Sequence, residues 1–228
     1  ILYGWMSADD AKKLERETEG DPQIHVMEED VEDHMSVSPP TKLKNPALFR
    51  PFEMFVEMYG LPAYQEMDPT IFIALTYTLM FGIMFGDVGQ GLCLLIGGFV
   101  FYRIKHMNLG AILSLAGIWS TVFGFMYGSV FGFEEILKPV WMRPMDNIMT
   151  TLMLAIGFGM FLILVAMVLN IINAVRAKDL GRILFSPSGI AGILCYGCVV
   201  LCIVLYVMGK PVPATGILGV LVGVPLIA

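Results

Sequence analysis

Asp87 sits in the string Gly86-Asp-Val-Gly-Gln-Gly91, with an uncharged apolar tract on either side. A carboxylate at membrane depth is costly to hold and is often part of an ion path. The same residues also fit a purely structural chemistry. Asp87-Val-Gly-Gln90 has the form of a capping box, in which the carboxylate accepts an N–H from a new helix and the glutamine reaches back. Gly86 and Gly89 would let the backbone turn tightly and two helices approach, and Gly91 completes the string. Of the two readings the cap is preferred, and both remain open.

Other groups invite the same weighing. Glu134 and Glu135 follow a later apolar tract; at the mouth of an ion path the pair could concentrate cations, whereas beside Lys138 and Arg143 it reads as a solvated turn. Gly124, Gly128 and Gly132 recur at i, i+4 and i+8, the spacing of a close helix-packing face. Cys195, Cys198 and Cys202 fall at i, i+3 and i+7 on one helix face. A zinc site needs four ligands with a second shell, and neither His nor carboxylate lies near, so these and Cys93 read as small apolar packing residues. His25, His34 and His106 read as solvated side chains. No catalytic residue, metal ligand or cofactor site is expected, and Gly86-Asp-Val-Gly-Gln-Gly91 lacks both the lysine and the spacing of a phosphate loop.

The elements that must position these groups follow from composition. Hydrophobic residues make up 57% of the 228, charged residues 15%, and mean hydropathy is +0.74. Soluble domains carry about 25% charged residues, so the class is membrane protein. Of the charged side chains, 15 acids and 6 bases fall in residues 1–68, against 5 acids and 8 bases in the remaining 160. An acidic first part therefore precedes a slightly basic membrane part.

A spanning helix needs about 20 mostly apolar residues. Uncharged tracts at 69–86, 88–102, 107–133, 147–175, 183–209 and 211–228 predict about six membrane helices, the second short for a full span. Arg103 and Lys105, and then Arg176, Lys178 and Arg182, mark two loops as cytoplasmic, against Lys138, Arg143 and Lys210 on the other side. Residues 1–68 are then cytoplasmic and the Asp87 turn lies opposite. No targeting segment is visible at the start. The chain opens without Met and closes within an apolar run, which predicts a piece of a longer protein.

Ahead of the membrane part, Ser7-Ala-Asp-Asp10 reads as the N-cap of a short helix, Gln23 to Met27 as a weak strand, Glu28 to Asp33 as a solvated acidic linker, and Ser36-Val-Ser-Pro-Pro-Thr as a break. Residues 46–60 form an amphipathic helix: Phe52, Phe55, Val56 and Tyr59 share one face, Pro51 suits its first turn and Gly60 its stop. It lies either on the membrane surface or against the cytosolic head. The fold class expected is an all-α integral membrane bundle of about six transmembrane helices after a short cytosolic α/β tail and this interfacial helix. Residues 1–38, 39–68 and 69–228 are its cytosolic tail, connector and membrane domain.

Several ordered strings carry a specific resemblance: Pro39-Pro-Thr-Lys-Leu-Lys-Asn-Pro, Pro51-Phe-Glu, Met58-Tyr-Gly-Leu-Pro-Ala-Tyr, Glu66-Met-Asp-Pro-Thr70, Met84-Phe-Gly-Asp-Val-Gly-Gln-Gly91 and Phe123-Gly-Phe-Met-Tyr-Gly-Ser-Val-Phe-Gly132. In this order they resemble the large membrane subunit of V-type and A-type rotary ATPases, subunit a or subunit I, and the style is that of a prokaryotic member. Gly4-Trp5 resembles the close of that family's cytosolic domain. The resemblance implies a non-catalytic stator in a prokaryotic cell membrane, with two half-channels for H+ or Na+. Its implied partners are a proteolipid ring, peripheral-stalk subunits of the E/G type, a central-stalk subunit of the d/C type and the lipid bilayer, with no nucleic acid. ATP chemistry belongs to other subunits. The family's ion exchange uses an arginine in the seventh membrane helix; no Arg or Lys lies within the six tracts, so the chain alone should not translocate ions. The alternative is a multi-pass secondary transporter, which would need polar groups at broken helices in repeated halves; no internal repeat is visible.

Overall fold

The computed structural model describes residues 4–18, 24–27 and 39–207. In chain order these form α1 (Ala8–Thr18), a 3₁₀ turn (Arg50–Phe52), α2 (Glu53–Tyr59), α3 (Thr70–Met84), α4 (Val88–Lys105), α5 (Asn108–Tyr127), α6 (Ile148–Arg176), α7 (Leu180–Phe185) and α8 (Ile190–Val207). Three of them, α4, α5 and α6, are long and apolar enough to cross a membrane, and α3 and residues Ile190–Leu205 of α8 are apolar but shorter.

Among the described residues this is fewer than the six spanning helices expected. Uncharged tracts overstate helices wherever the backbone breaks inside them. The tract at 107–133 holds a helix only to Tyr127, where Gly128 turns left-handed at φ 77°. The tract at 183–209 is split at Ser186–Gly189, because Pro187 lacks an N–H and pushes its predecessor out of helical geometry. Charge misleads in the other direction: α4 runs past Tyr102 to Lys105, Arg103 and Lys105 facing the negative end of the helix dipole, before His106 closes it at φ 52°. The sixth tract, 211–228, lies outside the described residues, as do Glu28–Asp33 and Ser36–Ser38. The α/β tail is likewise corrected. Residues 24–27 are irregular, and no strand occurs among the described residues, only an isolated bridge between Val130 and Phe133.

Helices α4 and α5 form an antiparallel hairpin in which backbone meets backbone. Gly110, Gly117 and Gly124 repeat every seven residues along α5, and Gly91 and Gly98 do so along α4. A Cβ on Gly98 would lie 2.6 Å from the Ser114 nitrogen, one on Gly110 2.6 Å from that of Tyr102, and one on Gly117 2.5 Å from that of Leu95. Side-chain-free contact of this kind supplies dispersion and Cα–H···O contacts where lipid leaves no hydrophobic drive between helices. Ser114 Oγ adds a 3.1 Å hydrogen bond to the Leu95 carbonyl. On another side of α5, Gly82 of α3 packs on Trp119, where a Cβ would come within 2.6 Å of the Trp119 Cβ.

The amphipathic segment rests on the apolar helices that follow it. Phe52 is wholly buried and clusters with Ala74 of α3 and Ile112 of α5, with Phe49, Met54, Phe55 and Leu115 around them. The Phe55 and Tyr77 rings lie 5.1 Å apart. Phe52 and Phe55 of the apolar face are thus covered by α3 and α5, whereas Tyr59 of the same face is 90% exposed. Helix α6, about 44 Å long by its 29 residues, packs with α7 and α8. It is joined to the connector where its Asn173 side-chain oxygen accepts the Met67 N–H at 3.0 Å.

Candidate functional site

The α3–α4 junction is built around the Asp87 carboxylate. Asp87 is extended (φ −145°, ψ 126°), as an N-cap residue is, and its Oδ1 accepts the Gln90 N–H at 2.8 Å. Only half of the expected capping box forms: Gln90 contributes its backbone, and the reach-back bond from its side chain to the Asp87 N–H is absent. The remaining acceptor capacity goes to the loop after α5. Oδ1 also accepts the Phe131 N–H at 2.9 Å, while Oδ2 accepts the Gly132 N–H and the Ser129 hydroxyl, each at 2.8 Å. Four donors, two per oxygen, surround a residue that is 7% exposed.

Backbone geometry makes this possible. Gly128 and Gly132 are left-handed at φ 77° and 80°, and Phe131 joins them at φ 50°. The resulting curl turns two successive N–H groups onto one carboxylate, a backbone concavity of the kind that binds anions. The Val88 N–H, an orphan donor of the first turn of α4, is taken by the Ser129 carbonyl at 3.0 Å. Ser120 of α5 hydrogen-bonds the Phe85 carbonyl at the end of α3, and the Tyr127 hydroxyl donates to the Ile83 carbonyl at 3.1 Å. Three helix ends are thus tied at one point.

The glycines converge here with distinct roles. Gly124 packs directly on the backbone of Asp87 and Val88, Gly86 on the Tyr127 ring, Gly89 on the Phe131 ring, and Gly91 on Thr121, where a Cβ would lie 2.6 Å from Oγ1. Gly128 and Gly132 lie beyond the end of α5, so the helical face expected of Gly124, Gly128 and Gly132 does not exist. Their recurrence every four residues reflects one packing contact and two left-handed turns.

Glu134 and Glu135 follow this loop without joining the cluster. Glu135 is exposed and Glu134 partly so. The Glu134 carbonyl, not its carboxylate, accepts Arg143 Nη2 at 2.6 Å. Cys93 is exposed, Cys195, Cys198 and Cys202 are half-buried free thiols, and no cluster of three metal-ligating side chains occurs among the described residues. The partners missed from sequence are Ser120, Tyr127, Ser129 and Phe131. Ser129 carried a signal, being a lone hydroxyl beside glycine at a helix end, but nothing local pairs it with a carboxylate 42 residues earlier.

Residues 1–134, which contain the whole junction up to Glu134, match the V-type ATPase 116 kDa subunit family. The chain belongs to that family. Among curated relatives it is 34% identical over 140 residues to the A-type ATP synthase subunit I of Archaeoglobus fulgidus, covering 58% of this chain and 19% of the relative. It is 30% identical over 215 residues to the V-type ATP synthase subunit I 2 of Treponema pallidum, covering 78% and 46%. With the A-type ATP synthase subunit I of Methanothermobacter thermautotrophicus it shares 29% over 231 residues, covering 92% and 33%. The chain thus spans between about a fifth and a half of these relatives. As a member of the 116 kDa family it is part of a rotary-ATPase subunit, and α4, α5 and α6 are its helices long and apolar enough to cross a membrane.

Proposed function

We propose that this chain is part of the non-catalytic membrane stator of a V/A-type rotary ATPase, in the sector that couples H+ or Na+ movement to ring rotation while ATP is made or hydrolysed on other subunits. The observation that carries this reading is the family match over residues 1–134 on a chain with three helices fit to span a membrane. Residues 1–68 face the cytoplasm as the end of the cytosolic arm and its connector, and the remainder is multi-pass. A proteolipid ring and the peripheral- and central-stalk subunits are its partners.

Within that stator, Asp87 serves as an anchor and not as a proton or ion carrier. Its oxygens already accept four donors, and a relay group needs a free lone pair to take up its ion. Glu134 and Glu135 belong to a solvated turn. ATP-driven ion uptake by the full-length complex in sealed vesicles, with and without sodium and an uncoupler, tests the stator reading. Uptake abolished by the uncoupler supports H+ and uptake dependent on sodium supports Na+. A purified subunit that never associates with a proteolipid ring, or that carries a solute with no ATPase present, would overturn it.

A further inference from the structure

We infer that residues 41–70 are a stiff joint that passes load between the polar first part of the chain and the membrane helices, with Asn45 and Asp68 as its positioning residues; the inference rests on the stator reading. A stator must resist torque, and a connector whose only regular structure is one 3₁₀ turn and the short α2 holds its shape under load only where it is fastened at several points. Here it is fastened to three different membrane helices. Phe52, wholly buried, is plugged between Ala74 of α3 and Ile112 of α5. The Met67 N–H is held by Asn173 of α6 at 3.0 Å.

Between those two fastenings lies a polar clasp. The Asn45 N–H and Nδ2 both donate to Glu53 Oε1, at 3.2 and 3.0 Å, and Nδ2 also donates to Asp68 Oδ2 at 2.6 Å. Asp68 Oδ1 in turn accepts the Thr70 N–H at 2.9 Å and its hydroxyl at 2.5 Å. Thr70, the first residue of α3, is wholly buried. Upstream, the Thr41 hydroxyl donates to the Pro62 carbonyl at 2.7 Å, closing the connector into a loop on itself. Asn45 bonds both Glu53 of α2 and Asp68 at the entry to α3, so the clasp opens if it is removed, while the Phe52 plug keeps the segment folded.

The test uses the full-length complex in sealed vesicles, reading ions taken up per ATP hydrolysed. Asn45→Ala/Asp68→Ala is expected to keep hydrolysis while the ratio falls at least two-fold. Asn45→Cys/Asp68→Cys is expected to show the same fall, reversed when a short bifunctional thiol reagent bridges the pair, which chemistry at either side chain would not do. An unchanged ratio in the assembled variants overturns the joint, and if the double variant does not assemble, Asn45→Ala alone is read in the same way. Amide exchange tests stiffness independently of ion transport. Met67 and Thr70 are expected to exchange slowly in the wild type and at least ten-fold faster in Asn45→Ala. Exchange at open-chain rates in the wild type overturns the joint whatever the vesicles show, whereas a wild-type complex with a slow-exchanging connector and no ion uptake defeats only the stator reading.

Discussion

Asp87 and Gly132 are 45 residues apart in sequence and 2.8 Å apart in space, the Gly132 N–H donating to Asp87 Oδ2. With the Phe131 and Ser129 donors, that bond fixes the turn between α3 and α4 to the far end of α5. A buried carboxylate that satisfies four donors sets the register of three helices at once.

Replacing Asp87 by Asn keeps the shape and loses the fit. An amide offers one acceptor oxygen, and its NH2 must face a donor, which at Gly132 is a backbone N–H that cannot reverse. Thermal unfolding of the full-length subunit in detergent is expected to report a loss of about 2–3 kcal/mol for Asp87→Asn and more for Asp87→Ala. Ion uptake should fall with the amount of assembled complex, and uptake abolished in fully assembled Asp87→Asn complex would instead make Asp87 a carrier.

The glycine contacts along the α4–α5 hairpin should sort by space. Gly117→Ala and Gly98→Ala put a methyl against backbone that has no flexible end to yield, at an expected cost of about 1–3 kcal/mol or more. Gly97→Ala and Gly157→Ala add a methyl to open space within a helix, and are expected to be neutral or stabilising by up to about 1 kcal/mol. Melting temperatures of the four variants, measured side by side, check the order.

The Asp68 carboxyl gives a pH signature outside the membrane spans. Burial raises its pKa, but the Thr70 hydroxyl and N–H and the Asn45 amide outweigh burial and leave it below 3.8. A group whose folded value is lowered adds stability above its unfolded value and loses that stability as pH falls through the folded value. Wild type is therefore expected to exceed Asp68→Asn in stability at neutral pH, with the difference closing at and below the ordinary carboxylate range. A difference that grew on acidification would contradict the clasp geometry.

Glu134→Gln/Glu135→Gln removes both charges from a loop in which neither carboxylate makes a hydrogen bond or ion pair among the described residues. ATP-driven uptake is expected to stay within two-fold of wild type at physiological ionic strength. A larger drop that deepens as salt is lowered would restore these residues as a cation-gathering mouth.

The sequence by itself settled the membrane class, because hydropathy is a sum over residues that needs no folding to evaluate. It also carried the family resemblance, since ordered motifs are linear. The polarity of Asp87 as an N-cap was legible too, because capping is decided within four residues. Helix ends were less legible: Gly128 ends α5 and Pro187 splits α7 from α8, yet both sit within uncharged tracts, and a count of charge cannot see a backbone dihedral.

What only the tertiary structure decided is who meets whom. Ser129, Phe131 and Gly132 reach Asp87 because α4 and α5 pack glycine on glycine and bring the two ends of the hairpin level. Phe52 finds Ala74 and Ile112 because α3 and α5 lie side by side and the 3₁₀ turn packs against both. Periodicity states that a face is apolar; the partner that covers it is fixed by the relative placement of elements far apart in the chain.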